Sequence, residues 1–231
     1  MEHHSSGISS YIKDIVYGAN DGIITTFAVV TGAVGAGLGI KVVIILGIAN
    51  LFADGFSMGA SNFLGERSEN SLYKEEEKRE WREVKDLPHR ERQEVIDVFL
   101  KHKFTPEQAK IMTDIIENNH EFWVDFMMKY ELEMNPPSHG DEWRGALATF
   151  VAFVIAGTLP LLSFLFADPA NMFRYSIVAT AVALFVVGSL RTLITRRNWL
   201  ISGFEMLSVG GIAAAVSYAV GYYVSLIAEN F

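Results

Sequence analysis

Two aspartates, Asp14 and Asp21, lie near the start of the chain. Asp21 falls within the largely apolar segment YGANDGIITTFAVVTG, residues 17–32. Four residues recur along one helical face at the spacing i, i+4, i+7 and i+11: Asp14, Gly18, Asp21 and Thr25. Because a carboxylate is costly in hydrocarbon, it normally faces a bundle interior or an ion path. We therefore predict that Asp21 faces a polar pathway. The alternative is that Asp21 only caps or pins helices, with Asp14 at the lipid headgroups.

A second polar stripe lies in the next apolar segment of the chain. Asn50, Asp54 and Met58 follow one another at intervals of four residues, so they share one face of a helix. Gly55 and Gly59 frame Met58 in a small-xxx-small pattern, which lets neighbouring helices approach closely. For Met58 taken alone, packing in a core is the simpler interpretation. Each of two consecutive apolar helices is thus predicted to carry a polar line.

Pairs of glutamates occur at helical spacing in the polar middle of the chain. Glu80 and Glu83 are three residues apart, and Glu91 and Glu94 repeat that spacing. If the two pairs converge from facing helices, their oxygen atoms form the kind of site that holds divalent cations. The alternative is a solvated charged face, since glutamate is common on surface helices.

A further group of residues at helical spacing follows in the same region. Met127 and Met128 precede Glu131 by four and three residues, so all three share a helix face. Methionine is more often a packing residue, but thioether sulfur beside carboxylates suits softer transition metals better than magnesium. The candidate metal site therefore has seven members: Glu80, Glu83, Glu91, Glu94, Met127, Met128 and Glu131.

The charged residues of the chain concentrate between two apolar blocks. Residues 66–144 hold 13 of the 19 Lys and Arg residues and 20 of the 27 Asp and Glu residues. A membrane-spanning helix needs roughly 20 mostly apolar residues, and five segments meet that requirement: 15–38, 43–64, 145–167, 173–194 and 200–227. We predict an all-α integral membrane protein with five transmembrane helices per protomer and a helical cytosolic insertion between spans two and three.

These segments divide the chain into three predicted parts. Residues 1–65 contain the first two spans, residues 66–142 form the helical metal-binding insertion, and residues 143–231 contain the last three spans. No Gly or Pro occurs between Glu66 and Leu87, so the second span is predicted to continue as one helix up to Pro88. Three further helices are expected in the insertion. The first covers about 89–102, the second runs from FTPEQ to about residue 118, and the third ends at about residue 134. FTPEQ has the residues of a helix start: Thr105 as the N-cap, Pro106 in the first turn and Gln108 at the capping-box position.

Basic residues in short loops predict the orientation of the chain in the membrane. The loop between spans four and five contains Arg191, Arg196 and Arg197, and the positive-inside rule assigns it to the cytoplasm. Five spans then put the N-terminus and the insertion in the cytoplasm and the C-terminus outside.

Residues 1–14 lack the features of a cleavable signal peptide. The chain has no cysteine, which excludes disulfides and thiolate metal sites, and its net charge of −8 gives no reason to expect a nucleic-acid partner.

The two stripes lie within recognisable motifs. DIVYGANDGIITTFAVVTGAVGAG, followed by GIANLFADGFSMGASNFLGERSE, resembles the opening of the vacuolar iron transporter family, also called the Ccc-type iron and manganese transporters. The segment SGFEMLSVGGIAAAVSYAVGY is similar to that family's last span. The resemblance implies proton-coupled export of Fe²⁺ from the cytosol, with Mn²⁺, Co²⁺ and Zn²⁺ as other candidate ions. It also implies homodimers with the pathway at the dimer interface, without enzymatic activity or a prosthetic group.

The resemblance also implies roles for individual residues. It makes Asp21 and Met58 metal ligands within the membrane, with Asp14 nearer the cytoplasmic mouth, and it matches the seven residues of the insertion to the family's cytosolic metal site. One position departs from the family: where a glutamate is expected, this chain has Asn50. Asp54, one turn later on the same face, is a candidate for the missing carboxylate. A prokaryotic cell membrane is favoured over a vacuolar one, because the chain has little beyond the transporter itself.

Two other functions compete with transport. Glu117 and His120 have the Glu-x-x-His spacing of di-iron carboxylate bundles, which predicts a membrane-anchored oxidase or storage protein, but those bundles need two such motifs. The second competitor is a non-transporting metal sensor, which would not need an Asp21–Met58 pair inside the membrane.

Overall fold

The structure is a computed structural model that describes residues 8–136, 142–192 and 197–228. Within these ranges the chain forms helices and no strand, as predicted. The principal helices are α1 (Ile8–Gly35), α2 (Ile40–Asp86), α3 (Pro88–Lys101), α4 (Pro106–Ile116), α5 (His120–Tyr130), α6 (Glu142–Phe166), α7 (Met172–Leu190) and α8 (Trp199–Ala228). The N-terminal seven residues, Arg196 and the last three residues, which entered the orientation prediction, lie outside the described residues.

Four helices of the described chain are long and apolar enough to cross a membrane: α2, α6, α7 and α8. The fifth predicted span corresponds to α1, which has 28 residues and so is long enough. It is not among the four, since even its most apolar part contains the polar residues Asn20 and Asp21. The count of five spans therefore stays a prediction that depends on α1.

The chain divides into two compact units. The first contains α1, the part of α2 up to Phe63, and helices α6 to α8. The second contains the remainder of α2 from Leu64 onward, with α3, α4 and α5. The predicted extension of the second span into the polar region is present, since α2 runs to Asp86 without interruption.

In the first unit, α6 packs against α1 at two glycines. A Cβ atom on Gly18 would lie 2.4 Å from the Thr149 carbonyl oxygen, and one on Gly22 would lie 2.4 Å from that of Phe153. No side chain fits in that space, so only glycine permits this approach of the two backbones. At Gly59 on α2 a Cβ would lie 3.0 Å from the Ala146 carbonyl oxygen of α6, which is the close approach expected from its small-xxx-small pattern.

The second unit has its own hydrophobic core. Residues from α2, α3, α4 and α5 contribute, among them Val84, Val95, Ile116, Trp123 and Val124. The predicted capping box at the start of α4 is confirmed: the Thr105 hydroxyl accepts from the Gln108 backbone N–H, and the Gln108 side chain accepts from the Thr105 N–H. Helix α5 ends at Tyr130, short of the predicted residue 134, because the chain turns through Glu133 in the left-handed region (φ 54°).

Candidate functional site

A polar cavity of about 410 Å³ opens between α1, α2 and α6 in the first unit. Its lining includes three residues predicted from the two stripes, Asp14, Asp21 and Met58. The remaining lining residues are Lys13, Tyr17, Ser57, Ser61, Asn62 and Thr149. The packing of α1, α2 and α6 thus brings residues of both stripes to one place. The cavity presents carboxylate, hydroxyl and amide oxygen together with a thioether sulfur, a donor set that suits a divalent transition-metal ion.

Asp14 is held in this cavity by a hydrogen-bonded connection across three helices. The Asn62 side-chain amide on α2 donates to Asp14 Oδ1 on α1 at 3.1 Å. The same amide nitrogen donates to the Thr149 hydroxyl oxygen on α6 at 2.9 Å. Thr149 is buried, and its hydroxyl donates in turn to the Gly145 backbone carbonyl at 3.0 Å. One oxygen of Asp14 is therefore engaged by the protein, and the carboxylate has a defined position.

Asp21 lies two helical turns after Asp14 on α1, Met58 lies one turn before Asn62 on α2, and both are half-buried. The Thr25 hydroxyl donates to the Asp21 backbone carbonyl at 2.8 Å, so Thr25 stabilises the helix and does not occupy the Asp21 carboxylate. Asp21 and Met58 both line the cavity.

The other two residues of the α2 stripe do not line the cavity. Asn50 is half-buried, and its amide nitrogen has no hydrogen-bond partner among the described residues. Asp54 is near enough to Asp21 for their charges to interact. The Asn20 side-chain oxygen, one residue before Asp21, is also buried without a partner within the described part of the chain.

Sequence reasoning missed the residues that hold the cavity together. Asn62 lies one helical turn after Met58 and continues the Asn50–Asp54–Met58 stripe, so extending that stripe by four residues would have found it. Thr149 carries no comparable signal, because its position beside Asp14 depends on the packing of α6 against Gly18.

In the second unit, the predicted glutamates come within electrostatic reach of one another. Glu80 is 3% exposed and Glu91 is fully buried, and neither oxygen of Glu91 has a hydrogen-bond partner among the described residues. Burial, together with the carboxylates of Glu131 and Glu83, raises the pKa of Glu80 to about 7. Burial and the carboxylates of Glu94 and Glu80 raise the pKa of Glu91 to about 8. Burial, then the Glu94 carboxylate, also raises the pKa of Glu131.

Two of these glutamates are paired with arginines on their own helices. Glu83 accepts from Arg79 at 3.0 Å, and Glu94 accepts from Arg90 at 2.9 Å. Within the described residues, no three carboxylate or imidazole groups are already grouped as a bound metal ion would require. An ion shared by these glutamates therefore requires their side chains to rearrange, and the exposed arginine pairs contribute little to resist that.

Met127 and Met128 lie in the hydrophobic core of the second unit. They are 0% and 1% exposed and pack with aromatic and aliphatic residues of the neighbouring helices. Glu131, by contrast, follows α5 directly as its C-cap residue. The two methionines therefore pack in the hydrophobic core, and their role as metal ligands stays a prediction.

The Glu-x-x-His motif is arranged differently from a di-iron site. The Glu117 carboxylate at the end of α4 is paired with Arg92 of α3, which also pairs with Asp114. The His120 ring, at the start of α5, contacts the edge of Trp123. Since Glu117 is engaged by a guanidinium, this pair gives no support to an iron oxidase.

Comparison with known proteins identifies similar chains over most of the length. The model of the VIT family matches residues 12–222. A vacuolar iron transporter of Plasmodium berghei (strain Anka) is 32% identical over 230 residues, which cover 95% of this chain and 84% of the relative. Vacuolar iron transporter 1 of Arabidopsis thaliana is 30% identical over 222 residues, covering 94% and 89%. A vacuolar iron transporter of Toxoplasma gondii (strain ATCC 50861 / VEG) is 33% identical over 242 residues, covering 98% and 78%.

Proposed function

Since the chain belongs to the VIT family, we propose that it is a multi-pass membrane transporter that exports Fe²⁺ from the cytosol in exchange for protons. The observation that carries this proposal is the cavity between α1, α2 and α6, where Asp14, Asp21 and Met58 meet. Relatives named vacuolar iron transporters support iron as the cargo. The same donor atoms suit Mn²⁺, Co²⁺ and Zn²⁺, which are further candidate ions.

The proposed path takes the ion past Asp14 first and then to Asp21 and Met58. The carboxylates supply negative charge, and the thioether disfavours Ca²⁺ and Mg²⁺, which prefer oxygen ligands alone. Protons arriving from the other side compete for the same carboxylates, because metal binding needs them deprotonated. One set of ligands therefore suffices for exchange. Asp54, within electrostatic reach of Asp21, is our candidate for the carboxylate that Asn50 lacks.

The second unit is proposed to capture the ion in the cytosol. Its buried, mutually repelling carboxylates favour a cation that relieves the repulsion, and the candidate ligands are the seven residues predicted from sequence. By the positive-inside rule, applied to Arg191, Arg196 and Arg197, we propose that the insertion and the N-terminus lie in the cytoplasm and the C-terminus outside. A cell membrane of a prokaryote remains the proposed location.

We propose a homodimer because one protomer leaves polar groups of the cavity uncovered. Tyr17 is 67% exposed, and Ser57 and Ser61 are also exposed, on helices that would otherwise meet lipid there. Polar groups on a membrane-embedded surface normally face protein or water. A second copy laid over this face would close the pathway.

Ion flux into proteoliposomes tests the proposal. The wild-type protein should carry Fe²⁺ into vesicles and change the signal of an internal pH-sensitive dye. Asp21→Ala should abolish Fe²⁺ flux without changing gel-filtration behaviour or the thermal unfolding temperature, because it removes the central carboxylate. The matched control is Asp168→Ala, an exposed aspartate outside the cavity, which should retain wild-type flux. Undiminished transport by Asp21→Ala would refute the pathway. A wild-type protein without flux would favour the metal sensor.

A further inference from the structure

Asn62, on α2, forms side-chain hydrogen bonds with both neighbouring helices at the cavity. Its amide nitrogen joins Asp14 of α1 and Thr149 of α6, at 3.1 Å and 2.9 Å. Neither the resemblance nor the two sequence stripes assign Asn62 a role. Since all three residues line the cavity, these bonds lie on the proposed path of the ion.

The direction of each hydrogen bond in this connection is determined by its neighbours. The Thr149 hydroxyl hydrogen is used on the Gly145 carbonyl, so Thr149 Oγ1 must accept from Asn62. An ionised carboxylate only accepts, so Asp14 Oδ1 also requires a donor. Both requirements orient the Asn62 amide with its nitrogen toward Asp14 and Thr149, and both amide hydrogens are then used.

We propose that Asn62 is a positioning residue for the cation path: it holds Asp14 Oδ1 against α6 and leaves Asp14 Oδ2 for the metal ion. This inference rests on the proposed transport function and adds a residue to it. An amide suits this task, because it carries no charge that competes with the ion or repels it. The Asn62 side-chain oxygen, which these bonds leave unused, is a second neutral ligand available beside Met58 on the same helix face.

The inference predicts a defect in capture of the ion and not in its translocation. Asn62→Ala removes both hydrogen bonds of the connection, and Thr149→Val removes the one between Asn62 and Thr149. Both substitutions leave Asp21 and Met58 in place. For Asn62→Ala the KM for Fe²⁺ should rise about tenfold, the order expected for losing one hydrogen bond to a charged group. Thr149→Val should raise the KM by a smaller factor, because the bond between Asn62 and Asp14 remains. The kcat should stay within about twofold of the wild type, since the later ligands are untouched.

The experiment is Fe²⁺ flux in proteoliposomes over a range of metal concentrations, with thermal unfolding of each purified variant. Thr149→Ser retains the hydroxyl and should restore a near-wild-type KM. Two matched controls delete the same groups away from the cavity: Asn118→Ala in the second unit, and Thr158→Val further along α6. If Asn62→Ala does not fold, Thr149→Val, which nearly preserves volume, carries the test.

A raised KM with near-normal kcat and rescue by Thr149→Ser would support the inference. An unchanged KM, an equal loss in the control variants, or a fall in kcat alone would overturn it. Failure of the proposed function looks different: the wild-type protein itself would then carry no Fe²⁺. A wild-type protein that transports, together with an inactive Asp21→Ala and a normal Asn62→Ala, would reject only the role of Asn62.

Discussion

Glu91 shows how strongly the second unit constrains individual carboxyl groups. It is fully buried, and the carboxylates of Glu94, Glu80, Glu83 and Glu131 act on it, so the ionised form is disfavoured. Glu80 is in a similar environment, although Arg79 partly offsets the repulsion there. In the absence of metal, both groups keep their protons at pH values where ordinary glutamates have lost them. A divalent cation changes that balance, because it binds the deprotonated form.

The sign of the resulting pH dependence follows from these pKa values. The folded protein holds protons up to about pH 7 at Glu80 and about pH 8 at Glu91, whereas an ordinary glutamate releases its proton near 4.5. The stabilising contribution of the protonated pair is therefore complete below about pH 4.5 and is lost as the pH rises to about 8. Metal affinity runs in the opposite direction and increases over the same range.

We expect the substitution of Glu80→Gln together with Glu91→Gln to remove both effects. In the Asp21→Ala background, which silences the membrane site, calorimetry should show Mn²⁺ affinity falling roughly tenfold between pH 8 and pH 6. The double substitution should abolish most of that binding. It should also raise the thermal unfolding temperature of the metal-free protein at pH 8, on the order of 5 °C, because the repulsion is gone.

The matched control for this prediction is Glu75→Gln. Glu75 is exposed and pairs with Lys78 three residues away, so its loss should alter neither binding nor the pH profile. Mn²⁺ affinity that is independent of pH, or unaffected by the double substitution, would show that these glutamates do not form the capture site.

At the scale of helices, glycine determines how closely α1 and α6 approach. Gly22 of α1 lies against Phe153, and Gly157 of α6 lies against Gly22 in turn, since a Cβ on Gly157 would be 2.7 Å from the Gly22 carbonyl oxygen. Gly18 makes a similar contact with the Thr149 backbone one turn earlier, and these contacts bring Thr149 within reach of Asn62, which joins it to Asp14. The geometry of the cavity thus depends on residues that have no side chain.

We expect Gly22→Ala to separate α1 from α6. Its Cβ would lie 2.4 Å from the Phe153 backbone oxygen, which has no freedom to move away by side-chain rotation. The substitution should destabilise the protein by about 1–3 kcal/mol, measured as a lower unfolding temperature in detergent, and should reduce Fe²⁺ flux. Gly211→Ala in α8 is the comparison, because no atom lies within 4 Å of the added Cβ. Equal stability of the two variants would contradict the role of close packing.

At the scale of the whole molecule, the two compact units have separate cores and separate sets of candidate ligands. The first combines apolar helices with a small cavity lined by polar side chains, and the second has its own hydrophobic core and buried carboxylates. Division of labour between capture and translocation is the function that this organisation supports. The exposed polar face of α1 and α2 is the part of the first unit that we propose to be covered by a second copy of the chain.

Cross-linking tests the proposed homodimer directly, because the natural chain contains no cysteine. Tyr17→Cys, at the cavity face, should form a disulfide-linked dimer in membranes under mild oxidation, with the yield independent of expression level. Val178→Cys on α7 is 60% exposed in the protomer but lies away from that face, and it should remain monomeric. Equal cross-linking at both positions, or none at Tyr17→Cys, would speak against an interface over the cavity.

Several features were determined by local sequence. The Thr105 capping box, the break at Pro88 and the continuation of α2 into the polar region each depend on residues within a few positions of one another, and all were predicted correctly. The family resemblance, carried by contiguous motifs around Asp21 and Met58, is confirmed by the match over residues 12–222. Helical periodicity also selected Asp14, Asp21 and Met58, which the structure brings to one cavity.

Other features were decided only by tertiary structure. Thr149 lies 135 positions after Asp14 in the numbering of the chain, and only the glycine contacts between α1 and α6 bring it to Asn62. The burial of Glu91 and of the two adjacent methionines likewise depends on how α2, α3 and α5 pack, since spacing alone is equally compatible with a solvated face. Periodicity defines which face of a helix a residue occupies, whereas the neighbour of that face is set by long-range packing.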